Sequence, residues 1–210
     1  MNSIEDQERF DAVKEWWRQY GNYILVAVAS VVLGLGGGGA WVKYNKSRAL
    51  EASQKYDQLQ KLSVEGKVEE SRLVFSQLVE EFGGTAYRDL AVLKMVNLFH
   101  RLNDFEEAET QLRDLLKDTN SEETKSLARL RLASILIDLK KYDDALVTVE
   151  MVQNPGYGAI VADLKADILF NKGKISEAIK VLENALSLSD SASSWRRIIE
   201  MKKDSLESQK

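Results

Sequence analysis

The chain has no cysteine, one proline and one histidine among its 210 residues, and each scarcity closes off a class of function. Without cysteine there is no disulfide, no thiolate metal ligand and no thiol nucleophile. With His100 as the single imidazole there is no multi-histidine metal centre. A surplus of one charge is missing too: 29 Lys and Arg stand against 33 Asp and Glu, so no basic field exists to hold nucleic acid. Scarce proline removes the strongest helix breaker, and an all-α chain is expected. Motif chemistry is equally thin. No G-x-S-x-G elbow occurs, and Gly36 to Gly39 lack the lysine and hydroxyl of a phosphate loop. The pairs Glu106 with Glu107 and Asp143 with Asp144 read as first-turn carboxylates facing the positive end of a helix. A non-enzymatic protein without catalytic residues, metal or cofactor is expected.

What is present begins with "GNYILVAVASVVLGLGGGGAWVKY", Gly21 to Tyr44. Between Arg18 and Lys43 lie 24 uncharged residues, as a helix roughly 36 Å long against a hydrocarbon core of about 30 Å. Trp16, Trp17, Tyr20 and Tyr23 at one end, with Trp41 and Tyr44 at the other, suit headgroup level. A signal peptide is the competing reading, since Gly38 and Ala40 make a small-x-small pattern. The leader argues against it, because Glu5, Asp6, Glu8, Asp11 and Glu15 outnumber Arg9, Lys14 and Arg18 where positive charge belongs. The expected organisation is a leader over 1–21, a retained transmembrane helix over 22–42 in the lipid bilayer, and a soluble domain over 43–210. Ser30, Gly34 and Gly38 recur every four residues and offer a small-residue face for helix packing, or glycine merely tolerated. Basic residues flank both ends, so charge alone gives no orientation.

The remainder repeats itself. "QLQKLSVEGKVEESRLVFSQLV", "MVNLFHRLNDFEEAETQLRDLL", "LASILIDLKKYDDALVTVEMV" and "KADILFNKGKISEAIKVLENAL" each read helix, polar turn, helix. Small residues at Ser71, Ala108, Ala145 and Ala178 follow the turns at spacings of 37, 37 and 33, near the period of about 34 of tetratricopeptide repeats. Twelve positions upstream lie Leu59, Val96, Ala133 and Ala166. Gly66, Asn103, Lys141 and Gly173 mark the turns. Apolar stripes on the second helices, including Leu73, Leu112, Leu146 and Ile179, are read as core. A last helix from Trp195 to about Ser208, charged outside, is read as a solvating cap. The expected architecture is a tetratricopeptide-repeat-like array of about four helix pairs plus that cap.

Such a stack lines a concave surface with its first helices. The repeat alignment assigns to it Tyr56 and Gln60; Leu93, Asn97 and His100; Leu130, Ser134 and Ile137; and Asp163, Asp167 and Phe170. Mixed apolar and polar side chains would suit a peptide, or would fill gaps between helices.

The chain as a whole resembles the ancillary SecYEG translocon subunit (YfgM) family. The resemblance is carried by the leader "EDQERFDAVKEWWRQYGN", the glycine-rich span with Trp41 before its basic flank, "ETKSLARLRLASILIDLKKYDDAL" and above all "GYGAIVADLKADILFNKGK". It implies a single-pass type II protein of the bacterial inner membrane, with the domain in the periplasm. It further implies partnership with SecYEG and a PpiD-type periplasmic prolyl isomerase chaperone, and transfer of exported nascent chains to folding factors. The alternative is a membrane-tethered adaptor that recruits envelope-assembly or signalling proteins and never touches exported chains.

Overall fold

The computed structural model describes residues 3–188 and 194–209; within them, the side chains at 3–12, 29, 32–37, 40 and 194 lie outside the description. Nine α-helices are described: α1 (Ser3–Val64), α2 (Val68–Glu81), α3 (Ala86–Arg101), α4 (Phe105–Asp118), α5 (Glu122–Asp138), α6 (Tyr142–Glu150), α7 (Gly158–Asn171), α8 (Ile175–Leu188) and α9 (Ser194–Glu207). A single 3₁₀ turn, Pro155–Tyr157, precedes α7. No strand occurs among the described residues. The chain divides into two compact units, Met1–Leu50 and Glu51–Lys210.

In the first unit, α1 runs through the expected leader and span without a break. Among the described residues no helix is long and apolar enough to cross a membrane, and several side chains of the stretch 22–42 lie outside that description. Leu25, Val26, Val28, Val31, Trp41 and Val42 are exposed, and helical spacing distributes them around the whole circumference. Ser30 and Gly38 are exposed as well, Ser30 returning its hydroxyl to the Val26 carbonyl at 2.8 Å. Gly34 lies outside the residues whose surroundings are described.

The second unit repeats one joint four times. Gly66, Asn103, Lys140 and Gly173 have φ of 73°, 58°, 59° and 74°, the left-handed conformation that ends a helix. The next residue donates its N–H back to the helix just finished: Lys67 to Leu62, Asp104 to Phe99, Lys141 to Leu136 and Lys174 to Leu169, at 2.8–3.0 Å. That same residue then accepts the N–H of Ser71, Ala108, Ala145 or Ala178, starting the second helix. The bend that the spacing places at Lys141 therefore falls on Lys140. All four small residues are fully buried, and Leu59, Val96, Ala133 and Ala166 are buried as well. A side chain larger than serine at the first set would separate paired helices, because interiors at crystal-like density have no slack.

The fall in period from 37 to 33 has more than one local source. α6 has nine residues where α4 has 14, but the longer connector through Asn154-Pro155 nearly makes this up, and α7 has 14 residues where α5 has 17. Proline restricts the preceding residue to extended backbone, and Asn154 at ψ 116° complies, its side chain accepting the Gly156 N–H at 2.9 Å. Starts of the other units are capped by hydroxyls, Thr85 accepting from the Arg88 N–H and Ser121 from the Thr124 N–H.

Burial on facing helices joins Ala52 through Ile168 into one core, with Phe75 edge-on to Phe99 near its middle. Ala166, Leu169, Ala178, Ile179 and Leu182 form a second cluster, closed by Ile199 and Leu206 of α9. Two readings of the apolar stripes need correction. Leu73 is exposed, the buried face of α2 being Ser71, Val74, Phe75 and Leu78, one position out of step. Nor is α9 polar throughout its outer side: Ile198 and Met201 are exposed there.

Charges lock successive second helices in register. Arg72 of α2 bonds Asp104 at the start of α4 (2.7 Å), and Glu109 of α4 bonds Lys141 at the start of α6 (2.6 Å). Both pairs join the sixth residue after one of these four bends to the first residue after the next of the four, with the signs exchanged.

Candidate protein-docking groove

α3 and α5, first helices of neighbouring pairs, leave between them a cavity of about 150 Å³ lined by Val96, Asn97, His100, Arg131, Ser134 and Ile135. Three residues assigned to the concave surface, Asn97, His100 and Ser134, are thus brought together. His100 Nε2 lies 2.9 Å from Asp138 Oδ2, and its ring stands edge-on to Phe105. Neither Asn97 nor Ser134 has a side-chain hydrogen bond among the described residues, so an amide and a hydroxyl are open to a ligand. Both can meet the N–H and C=O of a peptide backbone.

Arg131 closes one side of this groove. Its guanidinium donates to the Leu93 carbonyl at 2.5 Å, and burial draws its proton affinity below the ordinary arginine value, with Tyr56 acting in the opposite sense. Tyr56 is half-buried and pairs with Tyr87 at 6.1 Å between ring centroids. Gln60 is exposed on the same helix as Tyr56, and Ile137 is half-buried on α5.

Two assigned residues leave the surface. Leu93 and Leu130 are 6% and 5% exposed and belong to the core. Leu93 sits where the Arg131 side chain crosses from α5 to reach its carbonyl. At the far end Asp163 and Asp167 are held by Lys202 of α9, at 2.5 and 2.8 Å, and half-buried Phe170 packs against the second cluster. Asp163 and Asp167 thus fasten the closing helix while Asp167 stays partly exposed. Arg131, Tyr87 and Asp138 were absent from the assigned set; the one signal for them was helical adjacency to residues already in it.

Among the described residues no group of three or more His, Asp or Glu is placed to hold a metal ion. An open polar-apolar groove on the first helices of stacked helix pairs defines a class, the tetratricopeptide-like docking array. A family model described as a tetratricopeptide repeat-like domain matches residues 14–208. Two solved structures share the fold. The Desulfovibrio magneticus MamA fragment has a TM-score of 0.55 at 18% identity, covering 75% of this chain and 88% of its own. A Podosopora anserina kinesin light chain with TPR-like repeats reaches 0.58 at 15% identity, covering 77% and 89%.

Relatives by sequence are more specific. The Haemophilus influenzae protein named ancillary SecYEG translocon subunit is 30% identical over 183 residues, 87% of this chain and 89% of the relative. The Escherichia coli protein of the same name is 33% identical over 168 residues, 80% and 81%. The chain belongs to the ancillary SecYEG translocon subunit family. No enzymatic family is indicated by these matches.

Proposed function

We propose that this protein is a non-catalytic, membrane-anchored docking subunit of the SecYEG translocon. Its array receives partners in the groove of Asn97, His100, Arg131 and Ser134. The observation that carries the reading is the groove itself, with Asn97 and Ser134 unpartnered among the described residues beside the half-buried Arg131, in a chain whose relatives bear the translocon name. The segment 22–42 spans the bilayer. Support comes from the 24-residue uncharged run between Arg18 and Lys43 that contains it and from apolar side chains exposed around α1, since a helix that is apolar on all sides suits lipid. The array stands on the periplasmic side, where a PpiD-type chaperone and emerging exported chains are its partners.

The test is photocrosslinking in inner-membrane vesicles with a photoreactive residue at Asn97 or His100, and at Leu73 as an exposed control on α2. Adducts with SecYEG, the isomerase chaperone or an arrested exported chain are expected from the first two positions only. Adducts confined to signalling or envelope-assembly proteins would replace this reading with that of a tethered adaptor. An alkaline phosphatase fused after Lys210 should be active; an inactive fusion would overturn the periplasmic placement.

A further inference from the structure

The α9 end of the array carries features that the groove does not use. A cavity of about 730 Å³ opens between α7, α8 and the start of α9, with a floor of small residues: Gly156, Gly158, Ala159, Ala162 and Ala185. A Cβ on Gly158 would meet nothing within 4 Å, so packing does not demand glycine there. At this first position of α7 the effect of glycine is to leave the floor bare. Large apolar side chains stand at the rim: Leu188 is 81% exposed, and Trp195 lines the opening. From Trp195 the stripe continues along α9 in steps of three to Ile198 and Met201, the latter 67% exposed. Knobs and hole thus belong to one contiguous patch, which is what a two-fold interface requires of a single surface.

Charge identifies the occupant. Arg196 pairs with Glu200, Lys202 with Asp163 and Asp167, and Lys203 with Glu207. Among the described residues, Arg197 and Asp204 are the charged groups of α9 left without an ion pair. They have opposite signs and sit seven residues apart, two turns along the same face and next to the Ile198 and Met201 stripe. An antiparallel copy of α9 centred near Met201 brings Arg197 beside Asp204 of the second copy, and Asp204 beside its Arg197. We propose that this end is a self-association surface, on which a second copy of the chain docks about a two-fold axis with α9 antiparallel to α9.

The chain lacks native cysteine, so one introduced thiol reports one position. In the full-length protein in detergent micelles, Met201→Cys should give a disulfide-linked dimer on diamide oxidation, whereas Gln60→Cys should stay monomeric. Sedimentation velocity of the unmodified chain should show a dimer. Arg197→Glu should weaken it at least about tenfold by setting like charges opposite each other, and adding Asp204→Arg should restore it. Both positions are exposed, so the variants should melt as the parent does. A chain that stays monomeric through the micromolar range, or a dimer indifferent to Arg197→Glu, would overturn the proposal. So would Met201→Cys crosslinking no better than Gln60→Cys.

Discussion

Single residues at the four bends carry unequal strain. Glycine adopts φ near 74° freely and asparagine tolerates it, but Lys140 holds a β-carbon against the following carbonyl at 59°. Lys140→Gly should therefore raise the free energy of unfolding by about 0.5–1 kcal/mol in urea titration, the relief being offset in part by a more flexible unfolded chain. Gly173→Val should lower it, β-branched residues being outliers at positive φ. Unchanged midpoints in both would mean that the left-handed bend is not what limits these positions. Glu109 supplies a pH test. Burial works to raise its carboxyl, but hydrogen bonds from Lys141 and Arg113 outweigh that and leave it below the ordinary 4.5. A carboxyl lowered on folding contributes stability above its unfolded value, and loses it as pH falls through the folded one. As pH falls below about 4.5 the parent should lose stability more steeply than Glu109→Gln. Parallel curves would remove Glu109 from the account of acid unfolding.

At the level of elements, Lys202 is what fastens α9 to α7. Burial lowers its proton affinity, and hydrogen bonds to Asp163 and Asp167 more than reverse this, placing it above 10.5. Its contribution is complete below 10.5 and fades as pH rises through the folded value, so α9 should loosen at strongly alkaline pH. Lys202→Ala should cost about 1–3 kcal/mol by leaving two half-buried carboxylates facing each other, with faster amide exchange along α9 and little change in α3 and α5. Exchange that rises equally in α3 would show the cap and core unfolding as one. Helix order and pairing were legible in the sequence because small residues recur five positions after each of the four bends within helix pairs, a spacing fixed by the joint. The face of α2 was not, because Leu73, Val74 and Phe75 are consecutive apolar residues and periodicity cannot choose among them. The groove was legible by half for a related reason. Repeat alignment says which side of a helix turns inward, and so it reached Asn97, His100 and Ser134. It cannot say that Arg131 lies across Leu93, or that Lys202 takes Asp163 and Asp167, because those contacts arise between helices and differ from one pair to the next.

For the whole molecule the question is whether location and folding are separable, and the placement of the core bears on it. Among the described residues the buried cluster of the array begins at Ala52, downstream of the stretch 22–42. That stretch instead exposes Leu25, Val28 and Val31, residues whose apolar surface gains nothing from the protein around them. A charged side chain at the middle of a spanning helix costs about 2.5–3.5 kcal/mol on insertion scales, and two at adjacent turns exceed what an interrupted apolar run returns. Val28→Arg with Val31→Arg should therefore move the chain from the carbonate-resistant membrane fraction to the supernatant. Thermal unfolding of the array, followed by near-ultraviolet signals from Tyr56 and Tyr87, should be unchanged within about 0.5 kcal/mol, the range for substitutions remote from a core. Variants that stay in the membrane after carbonate would show that 22–42 is not the anchor. Variants released but unfolded would show that the array depends on α1 upstream of Ala52. Release with an intact array establishes a folded docking domain whose address is written separately, in 24 uncharged residues.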